Sequence, residues 1–238
     1  MKIYLIPIWL EEGNKSSLSE DIITTIKETK YFLVENLRTA RRFISALKLG
    51  VVIDELVFFQ LDKKTAKTDL EEYFKKIPQK DKNGEPTKVG IMSEAGCPGI
   101  ADPGALAVEY AHRKNIEVVP LVGASSILLA LMASGFSGQN FAFHGYLPVD
   151  ANERKSQIKN LETESKKLQR SQIFMETPYR NNPLLKDILK VLNPNTKICV
   201  ASNITSENQF IKTKTVAQWR KELPNLHKIP TIFVLYAS

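Results

Sequence analysis

Lys88-Val-Gly-Ile-Met92 and, directly after it, Ser93-Glu-Ala-Gly-Cys-Pro-Gly-Ile-Ala-Asp-Pro-Gly104 form the stretch on which the fold turns. The first five residues read as a buried strand. Three glycines and two prolines in the next twelve positions rule out regular structure there. Asp102-Pro103 then predicts a helix start, because Asp caps free N–H groups and Pro fits the first turn. In open α/β sheets, loops of this kind lie beyond the C-terminal end of a strand, where ligands sit. Gly96 and Gly99 carry no side chain to hold a ligand off the backbone. A tight surface turn is the bland alternative.

Outward from that loop, strand-like and helix-like segments alternate, which predicts an α/β protein. Strands are expected at Ile3–Trp9, Tyr31–Val34, Glu117–Leu121, Phe141–Tyr146, Ser171–Glu176, Lys197–Ser202, Gln209–Thr213 and Thr231–Tyr236, with Val51–Gln60 extended. Helices are expected after Ser17-Leu-Ser-Glu20, over Asn36–Leu49 and after Thr68-Asp-Leu-Glu71. Further helices are expected over Gly123–Ser134, Asp150–Leu168, from Thr177-Pro178 to Leu192, and over Thr215–Glu222. Pro78–Thr87 reads as a polar loop. The expected domain boundary is near Pro120, giving domains 1–119 and 120–238.

The chain has 238 residues, 43% hydrophobic and 25% charged, values of an ordinary globular protein. Its 33 Lys and Arg exceed its 26 Asp and Glu, for a formal charge of +7. That excess suits a polyanion such as RNA, or is simply a solvated basic surface. Cys97 and Cys199 form no CxxC pair, which predicts a reducing, cytoplasmic setting. No run approaches the ~18 apolar residues of a membrane span.

Three further loops carry unusual residues. Val122-Gly-Ala-Ser-Ser126 precedes an apolar helix, where free N–H groups either bind a ligand or are capped by Ser125 or Ser126. His144-Gly-Tyr-Leu-Pro148 and Met175-Glu-Thr-Pro-Tyr-Arg180 follow strands. Glu176 and Arg180 read equally as an ion pair or as substrate contacts. No GxGxxG follows the first strand, the Walker lysine is absent, and no GxSxG elbow occurs. The three histidines, at 112, 144 and 227, are far apart, so no metal site is expected.

Taken together, these residues resemble the tetrapyrrole-methylase superfamily, and within it the ribosomal RNA small-subunit methyltransferase I group. Ser93–Gly104 resembles that group's SDAGTPxIxDPG loop. VVPLVGASSILLALMASGF (Val118–Phe136), FAFHGYLP (Phe141–Pro148) and IFMETPYR (Ile173–Arg180) resemble further group motifs, in the same order. VENLR (Val34–Arg38) is a weaker echo of AEDTR. The resemblance implies a two-domain α/β fold, a homodimer, and S-adenosylmethionine held between the domains. It implies cofactor contacts from Pro7, Ile8, Gly96, Cys97, Ile100, Ser125, Ser126, Met175, Ala201 and Thr231. It also implies a ribose 2′-hydroxyl of RNA, in the small ribosomal subunit, as methyl acceptor.

The first loop, Pro7-Ile-Trp-Leu-Glu-Glu-Gly-Asn14, is longer and more acidic than the group's PTPIGNL, and Ser202-Asn-Ile-Thr205 stands where the group has ELTK. Methyl transfer from a sulfonium is chiefly an alignment problem, and a hydroxyl acceptor gains from a general base. Glu35, Glu94, Asp102 and Glu176 are candidates for that base, with Asp102 equally a helix cap. Arg38 and Arg180 are candidates for gripping a phosphate. A methyltransferase for a tetrapyrrole or other small molecule, and a non-catalytic cofactor- or RNA-binding protein, are the rival readings.

Overall fold

The computed structural model describes all residues, Met1–Ser238, as two compact units, Met1–Ser125 and Ser126–Ser238. In the first unit the chain runs β1 (Lys2–Leu5), α1 (Glu20–Glu28), β2 (Tyr31–Val34), α2 (Leu37–Leu47), β3 (Val57–Gln60), α3 (Lys67–Lys76), β4 (Lys88–Met92), α4 (Gly104–Arg113) and β5 (Glu117–Pro120). The strands form one parallel sheet in the order β3-β2-β4-β1-β5. Helices cover both faces, so the strands are apolar on both sides. Phe32, Val34 and Met92 join one core with Ile22 and Ile26 of α1 and Phe43 and Ile44 of α2. Leu33, Val89 and Ile91 join the other, with Leu70 and Phe74 of α3 and Ala107 and Tyr110 of α4. Alternate residues of each strand thus serve opposite cores, as the two-residue period of a strand requires.

The second unit contains α5 (Ser126–Ser134), β6 (Phe141–Tyr146), α6 (Ala151–Leu168), β7 (Ser171–Met175), α7 (Asn181–Val191), β8 (Lys197–Ser202), β9 (Phe210–Thr215), α8 (Val216–Trp219) and β10 (Thr231–Tyr236). Its sheet order is β6-β7-β10-β8-β9, with only β6 and β7 a parallel pair. One core gathers Ile158 and Leu161 of α6, Leu184, Leu185 and Ile188 of α7 and Trp219 of α8 onto Phe174, Val200 and Phe233. Phe174 and Phe233 are register partners whose rings stack at 5.8 Å. No helix is long and apolar enough to cross a membrane.

Several element boundaries differ from the sequence expectation, for local reasons. The Asn36 side chain accepts from the N–H groups of Arg38 and Thr39, so α2 begins after it, and Lys48 in the left-handed region ends the helix. Ser19, not Ser17, caps α1, and Ser17 closes a 3-10 turn. Asp69 reaches back to the Ala66 N–H, so α3 starts at Lys67. Residues 177–180 form a turn, and α7 waits until Asn181. The reciprocal bonds of Thr215 and Gln218 open α8, which lasts four residues. Residues 122–125 stay irregular, so α5 is shorter than expected and ends before Gly135 at φ 76°.

Candidate active site

Four chain exits from the first sheet are tied across its C-terminal edge. The Ile6 N–H donates to the Ile91 carbonyl at 2.9 Å, and the Ile8 N–H to the Gly96 carbonyl at 3.0 Å. The Glu35 N–H donates to Met92 at 3.1 Å, the Leu61 N–H to Val34 at 2.8 Å, and the Leu121 N–H to Leu5 at 3.0 Å. The ladder therefore runs one or more residues past the strands, and the loops leave from a fixed frame.

Ser93–Gly104 is braced from within. Asp102 Oδ1 accepts from the Gly99 N–H at 2.9 Å and the Gly104 N–H at 2.7 Å. This corrects the helix-cap expectation in part: Pro103 occupies the cap position and α4 starts at Gly104, while Asp102 staples the loop to the helix start. The Ser93 hydroxyl donates to the Ala95 and Gly96 carbonyls at 3.1 and 3.3 Å. Neighbouring loops close on this one. The Cys97 thiol lies 3.4 Å from the Ala124 carbonyl. A Cβ on Gly123 would fall 2.2 Å from Pro7 Cβ, so only glycine permits that approach.

The acidic candidates in this unit meet at the same edge. Glu35, just past β2, accepts from the Glu94 N–H at 3.1 Å. Burial pushes the Glu35 carboxyl above its ordinary value; the Glu94 N–H opposes the rise, nearby Glu94 and Asp102 add to it, and Lys63 opposes it. Burial, then Asp102, push the Cys97 thiol up. Pro7 and Ile8 are buried, Ser125 is half-buried, Ile100 is 52% exposed, and Arg38 projects to solvent from the first turn of α2.

In the second unit, Met175, Ala201 and Thr231 gather at one sheet edge, because Ile232 pairs with both Met175 and Ala201 and Thr231 pairs with Ser202. Ser202 and Thr231 share a hydroxyl–hydroxyl bond of 3.0 Å. Ala201 is fully buried, and Ser126 opens α5. Glu176 is buried; its Oε1 accepts from the Arg180 guanidinium at 2.7 Å and from the Thr177 N–H at 2.7 Å. Of the two readings left open for this pair, the ion pair forms.

Two features escaped the sequence reading. Arg154 pairs with Asp187 at 2.5 Å and donates to the Val149 carbonyl at 2.8 Å, tying the loop after β6 to α6 and α7. Asp62-Lys-Lys-Thr65 forms a hydrogen-bonded turn beside Glu35. Its signal was an Asp–x–x–Thr run directly after a short apolar strand.

The profile of the Tetrapyrrole (Corrin/Porphyrin) Methylases matches residues 13–219. Ribosomal RNA small subunit methyltransferase I of Buchnera aphidicola (subsp. Schizaphis graminum) is 27% identical, over 98% of this chain and 77% of that protein. The protein of the same name from Thermotoga maritima is 28% identical, over 92% and 93%. Among solved structures, the methyltransferase CobJ superposes with a TM-score of 0.62 at 16% identity, covering 100% of this chain and 94% of that one. Uroporphyrin-III-C-methyltransferase from Thermus thermophilus gives 0.54 at 15%, covering 99% and 91%.

Proposed function

Because the chain belongs to the tetrapyrrole (corrin/porphyrin) methylases, and is thus a methyltransferase, we propose that it uses S-adenosylmethionine to methylate a ribose 2′-hydroxyl in the RNA of the small ribosomal subunit. One observation carries this reading: the braced Ser93–Gly104 loop, with Glu35 beside it, at the C-terminal edge of a parallel sheet. The names of its relatives support RNA as the acceptor.

The residues suit that donor. Half-buried Cys97, Gly99 and Gly123 to Ser125 offer backbone polar groups, and Ile100 offers an apolar surface, a combination that fits a nucleoside with an amino-acid tail. Pro7, Ile8 and Gly96 fix the loops behind them. When bound, S-adenosylmethionine supplies an electrophilic methyl group on a sulfonium. Glu35 takes the proton of the attacking hydroxyl at a carboxylate oxygen, and its raised pKa makes it a better acceptor than an ordinary surface glutamate. The Glu94 N–H holds that carboxylate in place.

A tritiated-methyl assay on small ribosomal subunits, total RNA and small-molecule extracts tests the reading, alongside calorimetry with S-adenosylmethionine. Label in small-subunit RNA is expected. Label confined to small molecules would replace RNA with a small acceptor, and donor binding without any transfer would make the protein a binding module.

A further inference from the structure

The edge that carries Glu35 also carries three exposed cationic side chains, Arg38, Lys63 and Lys64. β2 and β3 are neighbours, with Val34 opposite Gln60, so the chain exits at Glu35 and Leu61 leave side by side. Directly after β3, Asp62 Oδ1 accepts from the N–H groups of Lys64 at 2.8 Å and Thr65 at 3.1 Å. Asp62 Oδ2 accepts from the Gln60 amide at 3.1 Å, and the Thr65 hydroxyl accepts from the Asp62 N–H at 2.9 Å. The Asp62 carboxylate is thus held by neutral donors inside the turn, which stands already formed with Lys63 and Lys64 exposed on it. Lys63 lies close enough for its charge to act on Glu35. Across from the turn, the Asn36 cap fixes the first turn of α2 and so the exposed Arg38, which has no ion-pair partner.

A carboxylate flanked by cations on preformed turns is complementary to one polymer in particular. RNA offers a hydroxyl on each ribose with a phosphate on either side of it. We propose that Arg38, Lys63 and Lys64 form a phosphate-binding rim that seats the RNA ribose–phosphate backbone with the ribose over Glu35. The inference rests on the RNA reading above and adds the residues that position the strand. A turn ordered before binding loses little freedom on contact, which favours its use as a grip over a mobile lysine tail.

The test compares the full-length protein with the triple variant Arg38→Gln/Lys63→Gln/Lys64→Gln and with Lys80→Gln/Lys82→Gln. The latter removes charge from the polar loop that precedes β4, at the opposite edge of the same sheet. Binding of a labelled single-stranded oligoribonucleotide and of purified small ribosomal subunits is measured over a salt series. The triple variant is expected to bind roughly tenfold to a hundredfold more weakly, with the salt slope reduced by about one per charge removed. Its S-adenosylmethionine affinity and unfolding midpoint are expected to match the parent. Lys63→Arg/Lys64→Arg is expected to retain binding. Equal losses in both charge-removal variants would make the effect one of net charge and overturn the rim, as would parental affinity and slope in the triple variant. Failure of the parent protein itself to bind or methylate RNA would remove the RNA reading, a result visible before any variant is made.

Discussion

Gly123 has no room for a side chain. Its Cβ would overlap Pro7, and the obstacle is a stiff ring next to a hydrogen-bonded segment. Gly123→Ala is therefore expected to cost about 1–3 kcal/mol in a denaturant titration, and to weaken donor binding because both loops must part. Asp102 makes a separate case. Asp102→Ala leaves the Gly99 and Gly104 N–H groups without their acceptor, a loss of about 1–3 kcal/mol. Asp102→Asn keeps an oxygen there and is expected to lose less, so comparing the two separates the staple from the charge. For Glu35 the sign follows from its raised pKa. The folded state holds the proton more tightly than the unfolded chain does, so stability falls as pH rises from the ordinary value of 4.5 through the raised one. Glu35→Gln is expected to match the parent in acid and to be the more stable protein at neutral pH, measured by urea midpoints across the range, while losing methyl transfer. A variant that is less stable at neutral pH would contradict this.

Among the elements, α2 shows how one cap serves both structure and chemistry. Asn36 satisfies two N–H groups that the helix cannot satisfy itself, and in doing so orients Arg38. Asn36→Ala is expected to cost about 0.5–2 kcal/mol, seen as a lower thermal midpoint. The cost of losing Arg154 is larger. Its side chain is only 10% exposed and that of Asp187 15%, with Lys155 of α6 at 3.7 Å as a weaker second partner. Arg154→Ala leaves a poorly compensated buried carboxylate and frees the loop after β6, for a loss of about 3 kcal/mol. The period of polar and apolar residues made α6 legible as an amphipathic helix, but an arginine on its inward face meets an aspartate 33 residues away. No local pattern announces such a pair, because its partner is brought there by α7 packing on α6.

At the scale of the molecule, each unit owns its core: the first has one on either face of its sheet, the second gathers its largest on the face covered by α6, α7 and α8. The link at residues 121–125 is irregular, and Val122 is 81% exposed. That link is pinned on both sides by Leu5, Pro7 and Cys97, so limited proteolysis is expected to cut first in the exposed polar loop at residues 78–86; initial cleavage inside either sheet would contradict this. The alternation of strands and helices, the glycine loop after β4 and the sheet-edge position of Gly96, Cys97 and Asp102 were legible in the sequence, because hydrophobic period, turn residues and chain direction are local properties that place loops at a parallel strand's C-terminal end. Strand order was not local. That β4 enters between β2 and β1 brings Glu94 to Glu35 and Gly96 to Ile8, and that β3 lies beside β2 sets Lys63 near the same carboxylate. Those neighbours stand tens of residues apart along the chain, and only the hydrogen-bonded pairing of strands and the packing of helices on both faces decide that they meet.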